Sequence, residues 1–174
     1  ELGLVGSEMC IRDRPLTDCC PGFGSVAKYV AVSTKEAALD IESMCATSTK
    51  VFVLEVMGRH AGWIAAAGAL ARQQLGDAPH IILLPEVPFN RQQFLRRVKA
   101  TVAEKGFCVV VVSEGLRFAN GKFVGESGAA KDAFGHAQLG GVAPVVANLV
   151  TSKLGYKNHC CLLYTSDAAD EKVR

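Results

Sequence analysis

The 174-residue chain is short of several things, and each shortage removes a class of function. No run of about 18 apolar residues occurs, so a membrane-spanning helix is excluded from the reading. The longest candidate, Ile64 to Ala71, is rich in Ala and Gly and stops at Arg72. Charge of one sign is also scarce. The net value of +2 gives no electrostatic footprint for DNA or RNA. Aromatic residues make up only 7% of the chain and prolines number six, yet 49% of residues are hydrophobic, which is too many for a disordered or low-complexity chain. Seven cysteines are present, but none forms a C-x-x-C pair and no histidine pair lies nearby, so a zinc or redox motif is poorly supported. Free, mostly buried thiols of a cytoplasmic protein are the expectation.

The two ends differ from what lies between them. Residues 4–14, Leu4-Val5-Gly6-Ser7-Glu8-Met9-Cys10-Ile11-Arg12-Asp13-Arg14, resemble the translation of a sequencing-library adapter. Residues 161–171, from Cys161 to Glu171, resemble the reverse complement of its partner. Segments 1–14 and 161–174 are therefore expected to be foreign and are set aside from fold reasoning. The expected native stretch is 15–160, with 15 Lys and Arg against 11 Asp and Glu.

Within that stretch the apolar period alternates. Ala37, Ala38, Ile41, Met44 and Cys45 have helical spacing over Thr34 to Cys45. Ser33 and Glu36 form a capping box there, or else lie inside one longer helix from about Ser25. Val51–Val56 is a β-branched run expected as a buried strand. Gly62 to Leu75 is expected as an Ala-rich helix, and Ile81 to Leu84 as a strand stopped by Pro85. Asn90 is an expected N-cap for a helix with Phe94, Leu95, Val98 and Val102 on one face, ended by Gly106. Phe107 to Val112 follows as a strand, and Ala119 to Ala130 as loop or hairpin. Ala133 to His136 is expected as a short strand, Pro144 to Leu154 as a helix, and a further strand begins at Tyr156. This order predicts an α/β three-layer sandwich with a mainly parallel sheet.

In such sheets ligands bind beyond the carboxyl ends of the strands. Those ends release Met57-Gly58-Arg59-His60, Ser113-Glu114-Gly115 and Gly135-His136-Ala137-Gln138, followed by Gly140-Gly141. A guanidinium, a carboxylate and an imidazole on one rim, with glycines allowing close approach, suit a phosphorylated sugar. Mutual pairing of Arg59 and Glu114 is the competing reading. Gly22-Phe23-Gly24-Ser25-Val26-Ala27 matches a G-x-G-x-x-A fingerprint, but no apolar strand precedes it, so dinucleotide binding is not expected.

The segment Glu55-Val56-Met57-Gly58-Arg59-His60-Ala61-Gly62-Trp63 resembles the E-V-M-G-R signature of the phosphofructokinases. Ser113-Glu114-Gly115 and Gly135-His136-Ala137-Gln138-Leu139-Gly140-Gly141 follow in that family's order and approximate spacing. The resemblance implies a phosphofructokinase-like fold, truncated at both ends, and phosphoryl transfer to the 1-hydroxyl of fructose 6-phosphate with Mg²⁺. It implies that Met57, Gly58 and Arg59 hold the sugar phosphate and that Arg59 also stabilises the transferring phosphoryl group. It further implies that Glu114 accepts from a sugar hydroxyl and that His136 contacts the sugar or its phosphate. Lys50 stands where many members place an arginine to grip the 6-phosphate, and Lys131 aligns only loosely with another phosphate-binding position. For His60 and Trp63, packing at a helix start is the expectation.

Leu139 in place of an arginine, and Gly62-Trp63 in place of Gly-Asp, resemble the pyrophosphate-dependent branch. An ATP-dependent enzyme is one alternative; a non-catalytic sugar-phosphate-binding regulatory subunit is another. The family's catalytic aspartate lies in a T-[IV]-D-N-D motif upstream of the segment resembling Leu16-Thr17-Asp18. The isolated chain is therefore expected to be inactive, with Asp18 not promoted to general base. The resemblance also implies a cytoplasmic homo-oligomer in glycolysis, with the neighbouring subunit contributing to the phosphate grip.

Overall fold

The computed structural model describes residues 22–74, 76–126 and 141–163. Four strands, β1 (Val51–Val56), β2 (Ile81–Leu83), β3 (Cys108–Ser113) and β4 (Asn158–Leu163), form one sheet in the order β2-β3-β1-β4. Among the described residues, the pairings between these four strands are all parallel. The central strands are the β-branched runs. β3 is buried along its whole length and β1 everywhere except Phe52, which is partly covered. Such strands lie under helices on both faces, so they lack polar alternation.

Successive side chains of β1 and β3 enter separate cores. Val51, Val53, Cys108, Val110 and Val112 pack with Phe94, Val98, Val146 and Val150. Leu54, Val56 and Val111 pack with Val30 and Ala65, while Val109 joins Ala38, Ile41 and Phe107. One face is thus covered by α1 (Phe23–Met44) and α2 (Trp63–Ala67), the other by α3 (Arg91–Lys105) and α4 (Val142–Leu154). The expected three-layer α/β sandwich with a parallel sheet is what forms.

The region from Ser25 to Cys45 is one continuous helix, α1, buried at Ala27, Val30, Thr34, Ala38 and Ile41. That stripe runs straight through Ser33, so the Ser33–Glu36 capping box does not form; both residues are interior to the helix. The expected helix over Gly62 to Leu75 is shorter. α2 spans five residues and passes into a 3₁₀ turn, Gly68–Ala71, before Arg72 turns extended. Gly68 sits against the Val111 side chain, where an added Cβ would lie 3.1 Å from a Val111 methyl. Alanine content sets the helical expectation; the close approach to the sheet accounts for glycine at position 68.

α3 follows its expected signals closely. The Asn90 side chain accepts from the Gln93 N–H at 3.0 Å, and Phe94, Val98 and Val102 are buried. Gly106 closes the helix at φ 85°, a conformation that favours glycine. β3 begins one residue later than expected, at Cys108, and β2 ends at Leu83. An antiparallel bridge between Arg117 and Phe123 makes part of the expected loop a tight hairpin. β4 pairs with β1 as far as Leu163, across the expected native boundary at residue 160. Main-chain ladder bonds need no particular side chain, and Cys160, Cys161 and Leu162 on this strand are exposed. The strand expected at Ala133 to His136 and the Gly140 half of the Gly-Gly pair lie outside the described residues, as do Leu16-Thr17-Asp18 and Lys131.

Cys45, Cys108, Cys160 and Cys161 are all free. Burial pushes the Cys108 thiol up to about 12, so it is an inert core residue.

The N-cap offers a clean stability test. Asn90→Ala should lower the unfolding free energy by about 1 kcal/mol, measured by urea denaturation, because one amide of the first turn loses its acceptor.

Candidate functional site

β1 and β3 are neighbours in register, with Val56 opposite Ser113, so the two strands end level with one another. The residues that leave them, Met57–His60 and Glu114–Arg117, are therefore adjacent although more than 50 positions apart. Glu114 N–H donates to the Val56 carbonyl at 3.0 Å and carries the ladder one step beyond the strands. The Glu114 carboxylate accepts from Gly58 N–H at 3.3 Å through Oε1. The Ser113 hydroxyl donates to the Gly58 carbonyl. Both main-chain polar groups of Gly58 are thus held by the β3 exit.

Two glycines make this possible. Gly58 has φ 138°, and a Cβ there would lie 2.7 Å from the Ala61 carbonyl oxygen. At Gly115 a Cβ would collide with the Arg59 and Gly58 carbonyls. The Arg59 backbone consequently rests on a residue that must be glycine.

Glu55 sits under this loop. It is 1% exposed, on the β1 face that meets α4, and Oε2 accepts from the Ala143 N–H at 2.8 Å. Its Oε1 is buried without a partner among the described residues. Burial raises the carboxyl above its ordinary value; the Ala143, Gly141 and Val142 amides oppose the rise, and the nearby Glu114 charge reinforces it. A carboxylate at a helix N-terminus meets unsatisfied amides and the positive end of the helix dipole.

Of the expected site residues, Met57, Gly58, Arg59 and Glu114 are brought together on this rim. His136 lies outside the described residues. Lys50 is elsewhere. It precedes β1, at the opposite end of the sheet, and its Nζ donates to the Cys45 carbonyl at 3.2 Å. Six strand residues separate it from the rim, about 20 Å at the rise of a parallel strand. Trp63 does not pack at the helix start as expected; it is 73% exposed. His60 does make contacts, with Arg117 and Phe123.

Glu86, Ser113, Gly115 and Arg117 complete the support; sequence spacing places Ser113 and Gly115 at the strand exit and gives Glu86 and Arg117 no role. Glu86 accepts from Gly62 N–H at 2.7 Å, at the start of α2. No group of three or more His, Cys, Asp or Glu that could hold a metal ion occurs among the described residues.

A parallel sheet that ends in a glycine-built loop, with a guanidinium residue and a carboxylate at its carboxyl edge, is an open α/β fold whose rim lies where such folds bind ligands. The sequence profile of the family described as "Phosphofructokinase" matches residues 11–162. The chain belongs to the phosphofructokinase family. It is 63% identical over 148 residues to a pyrophosphate–fructose 6-phosphate 1-phosphotransferase of Halomonas elongata, covering 85% of this chain and 35% of that protein. It is 62% identical to the enzyme of the same name from Methylococcus capsulatus, with the same coverage. The crystal structure of a pyrophosphate-dependent phosphofructokinase from Marinobacter aquaeolei superimposes with a TM-score of 0.69 at 57% identity, over 85% of this chain and 33% of that one. A yeast phosphofructokinase, 21% identical with a TM-score of 0.57, shares the fold. The chain thus spans about a third of the length of these relatives.

Two outcomes follow from this geometry. Gly115→Ala should displace the Arg59 backbone, visible as amide shifts at Gly58 and Arg59 that exceed those of any other described loop. For Glu55, the folded carboxyl holds its proton to higher pH than the unfolded one, whose value is near 4.5. Stability should therefore be greatest below that pH and fall as pH rises through the folded pKa. Glu55→Gln should flatten this dependence in urea titrations run across the same range.

Proposed function

We propose that this chain is the fructose-6-phosphate-binding portion of a pyrophosphate-dependent 6-phosphofructokinase. The enzyme transfers a phosphoryl group to the 1-hydroxyl of fructose 6-phosphate, giving fructose 1,6-bisphosphate. The observation that carries the reading is the main chain of Gly58, whose N–H and C=O are held by Glu114 and Ser113 beside Arg59. Phosphoryl transfer depends on positioning and charge neutralisation more than on covalent help from the protein, and a loop held this tightly supplies positioning.

In this reading Met57, Gly58 and Arg59 hold the sugar phosphate, and the Arg59 guanidinium also offsets charge on the transferring group. Glu114 uses Oε1 for Gly58 and leaves Oε2 to accept from a sugar hydroxyl. His136 contacts the sugar or its phosphate. The relatives named for pyrophosphate support that donor over ATP, and the 63% and 62% identities lie in this segment. The family's magnesium and the general base belong to parts of the enzyme other than the described residues. Lys50 serves a sugar phosphate only in a neighbouring copy, because its own strand separates it from Arg59; this supports a homo-oligomer. The free thiols Cys45 and Cys108 support a cytoplasmic setting.

The test is made in the full-length enzyme carrying this segment. It should form fructose 1,6-bisphosphate with pyrophosphate and not with ATP. Arg59→Ala should lower kcat/KM by about 2–4 kcal/mol, the loss of one charge-stabilising donor. A decrease below tenfold would remove Arg59 from the active site.

A further inference from the structure

His60 follows Arg59 directly and is exposed, which the packing expectation for it does not explain. Its Nδ1 lies 2.7 Å from Nη2 of Arg117. A guanidinium carries five N–H donors and no acceptor. In this contact Arg117 must donate and His60 Nδ1 must accept, so the ring proton resides on Nε2. Tautomers are ordinarily chosen by the sum of weak preferences around the ring; here a single partner with no acceptor decides.

Arg117 is itself held firmly. Its guanidinium carbon stands 4.2 Å over the centroid of the Phe123 ring, and Phe123 is its bridge partner across the hairpin. Phe118 N–H donates to the Lys122 carbonyl and Gly121 N–H to the Phe118 carbonyl, each at 2.9 Å, closing that hairpin. Phe89 N–H donates to the Arg117 carbonyl at 2.7 Å. The His60 ring meets the edge of Phe123 at 6.4 Å. Arginine stacking on an aromatic face fixes the plane of the guanidinium fork, which a lysine cannot reproduce.

We propose that His60 is a further ligand-contacting residue of the rim, donating its Nε2–H to a phosphoryl oxygen, and that Arg117 is the positioning residue that enforces this tautomer. The inference rests on the sugar-phosphate reading of the site. With Nδ1 occupied, the imidazole has one hydrogen-bonding function left, and it is a donor. Beside Arg59 that donor matches an anionic oxygen and cannot accept from a hydroxyl. The phosphoryl oxygen belongs either to the sugar phosphate or to the phosphoryl donor.

Two experiments separate this proposal from the reading beneath it. In the ligand-free 174-residue chain with ¹⁵N-labelled histidine, two-bond ¹H–¹⁵N correlation should show His60 protonated at Nε2 and bare at Nδ1. Arg117→Leu should abolish that preference without altering the pattern of His80. A His60 protonated at Nδ1 would overturn the proposal, whatever the substrate proves to be. In the full-length enzyme, His60→Ala should raise one KM about tenfold or more, with kcat changed less than threefold. A raised KM for fructose 6-phosphate assigns the oxygen to the sugar; a raised KM for pyrophosphate assigns it to the donor. His60→Gln, whose amide N–H stands near the Nε2 position, should restore most of the loss, and Arg117→Lys should not substitute for Arg117. Equal defects in the Gln and Ala variants, or no change in either KM, would overturn the proposal. Absence of any turnover of fructose 6-phosphate by the unsubstituted enzyme would instead overturn the sugar-phosphate reading.

Discussion

The Glu55 carboxylate at the first turn of α4 is the interaction on which the geometry of the rim depends. An ionisable group with 1% exposure in an apolar core is costly unless it is hydrogen-bonded. The Ala143 amide at 2.8 Å meets that requirement for Oε2, with Gly141 and Val142 adding to it. Oε1 stays buried without a partner among the described residues, and the carboxyl pKa is raised. No other element presents unpaired amides at that depth as readily as a helix N-terminus. The carboxylate therefore fixes where α4 begins relative to β1. Two residues beyond Glu55 the chain is already Met57, the first residue of the loop, so register at Glu55 is register at the site.

The second constraint is the level ending of β1 and β3. In a parallel pair every residue's bonds are slanted and evenly spaced, so a one-residue slip would exchange which side chains face each helical layer. Val56 opposite Ser113 puts the Ser113 hydroxyl beside the Gly58 carbonyl and the Glu114 carboxylate beside the Gly58 amide. Both contacts depend on side chains too short to follow a slipped loop. The absence of a Cβ at Gly58 and Gly115 lets the two exits approach to this distance. Glu114 thus has a structural task of its own, with Oε1 accepting from the Gly58 amide.

Much of the layer structure was legible in the residues because local signals agreed with tertiary ones. β1 and β3 are uninterrupted β-branched runs, and α3 has its Asn90 cap, its Phe94-Val98-Val102 stripe and its Gly106 stop. The Gly62 to Leu75 stretch was misjudged because alanine reports helix propensity, whereas Gly68 reports contact with Val111. The rim residues Met57, Gly58, Arg59 and Glu114 were legible from strand polarity together with a family resemblance. Their supports were not. Glu55 reaches its partner across 88 positions, Ser113 across 55 and Arg117 across 57. Spacing along the chain carries no information about such pairs until the strand order is known. The partners of His60 are illegible for a related reason: Arg117 and Phe123 come from the hairpin after β3, more than 50 positions away.

Sheet polarity also decides what Lys50 can do. Lys50 and Arg59 bracket a single strand, so their separation is a property of β1 and no loop motion within the chain can close it. The main chain of Lys50 is fully engaged at that end: its N–H donates to the Lys157 carbonyl and its carbonyl accepts from Cys108. With its amino group on the Cys45 carbonyl, the residue is anchored at the end remote from the rim. A cation at one end of a parallel strand and a guanidinium at the other cannot share one small ligand. If both meet a sugar phosphate, each strand must serve two sites, which only an assembly of copies provides.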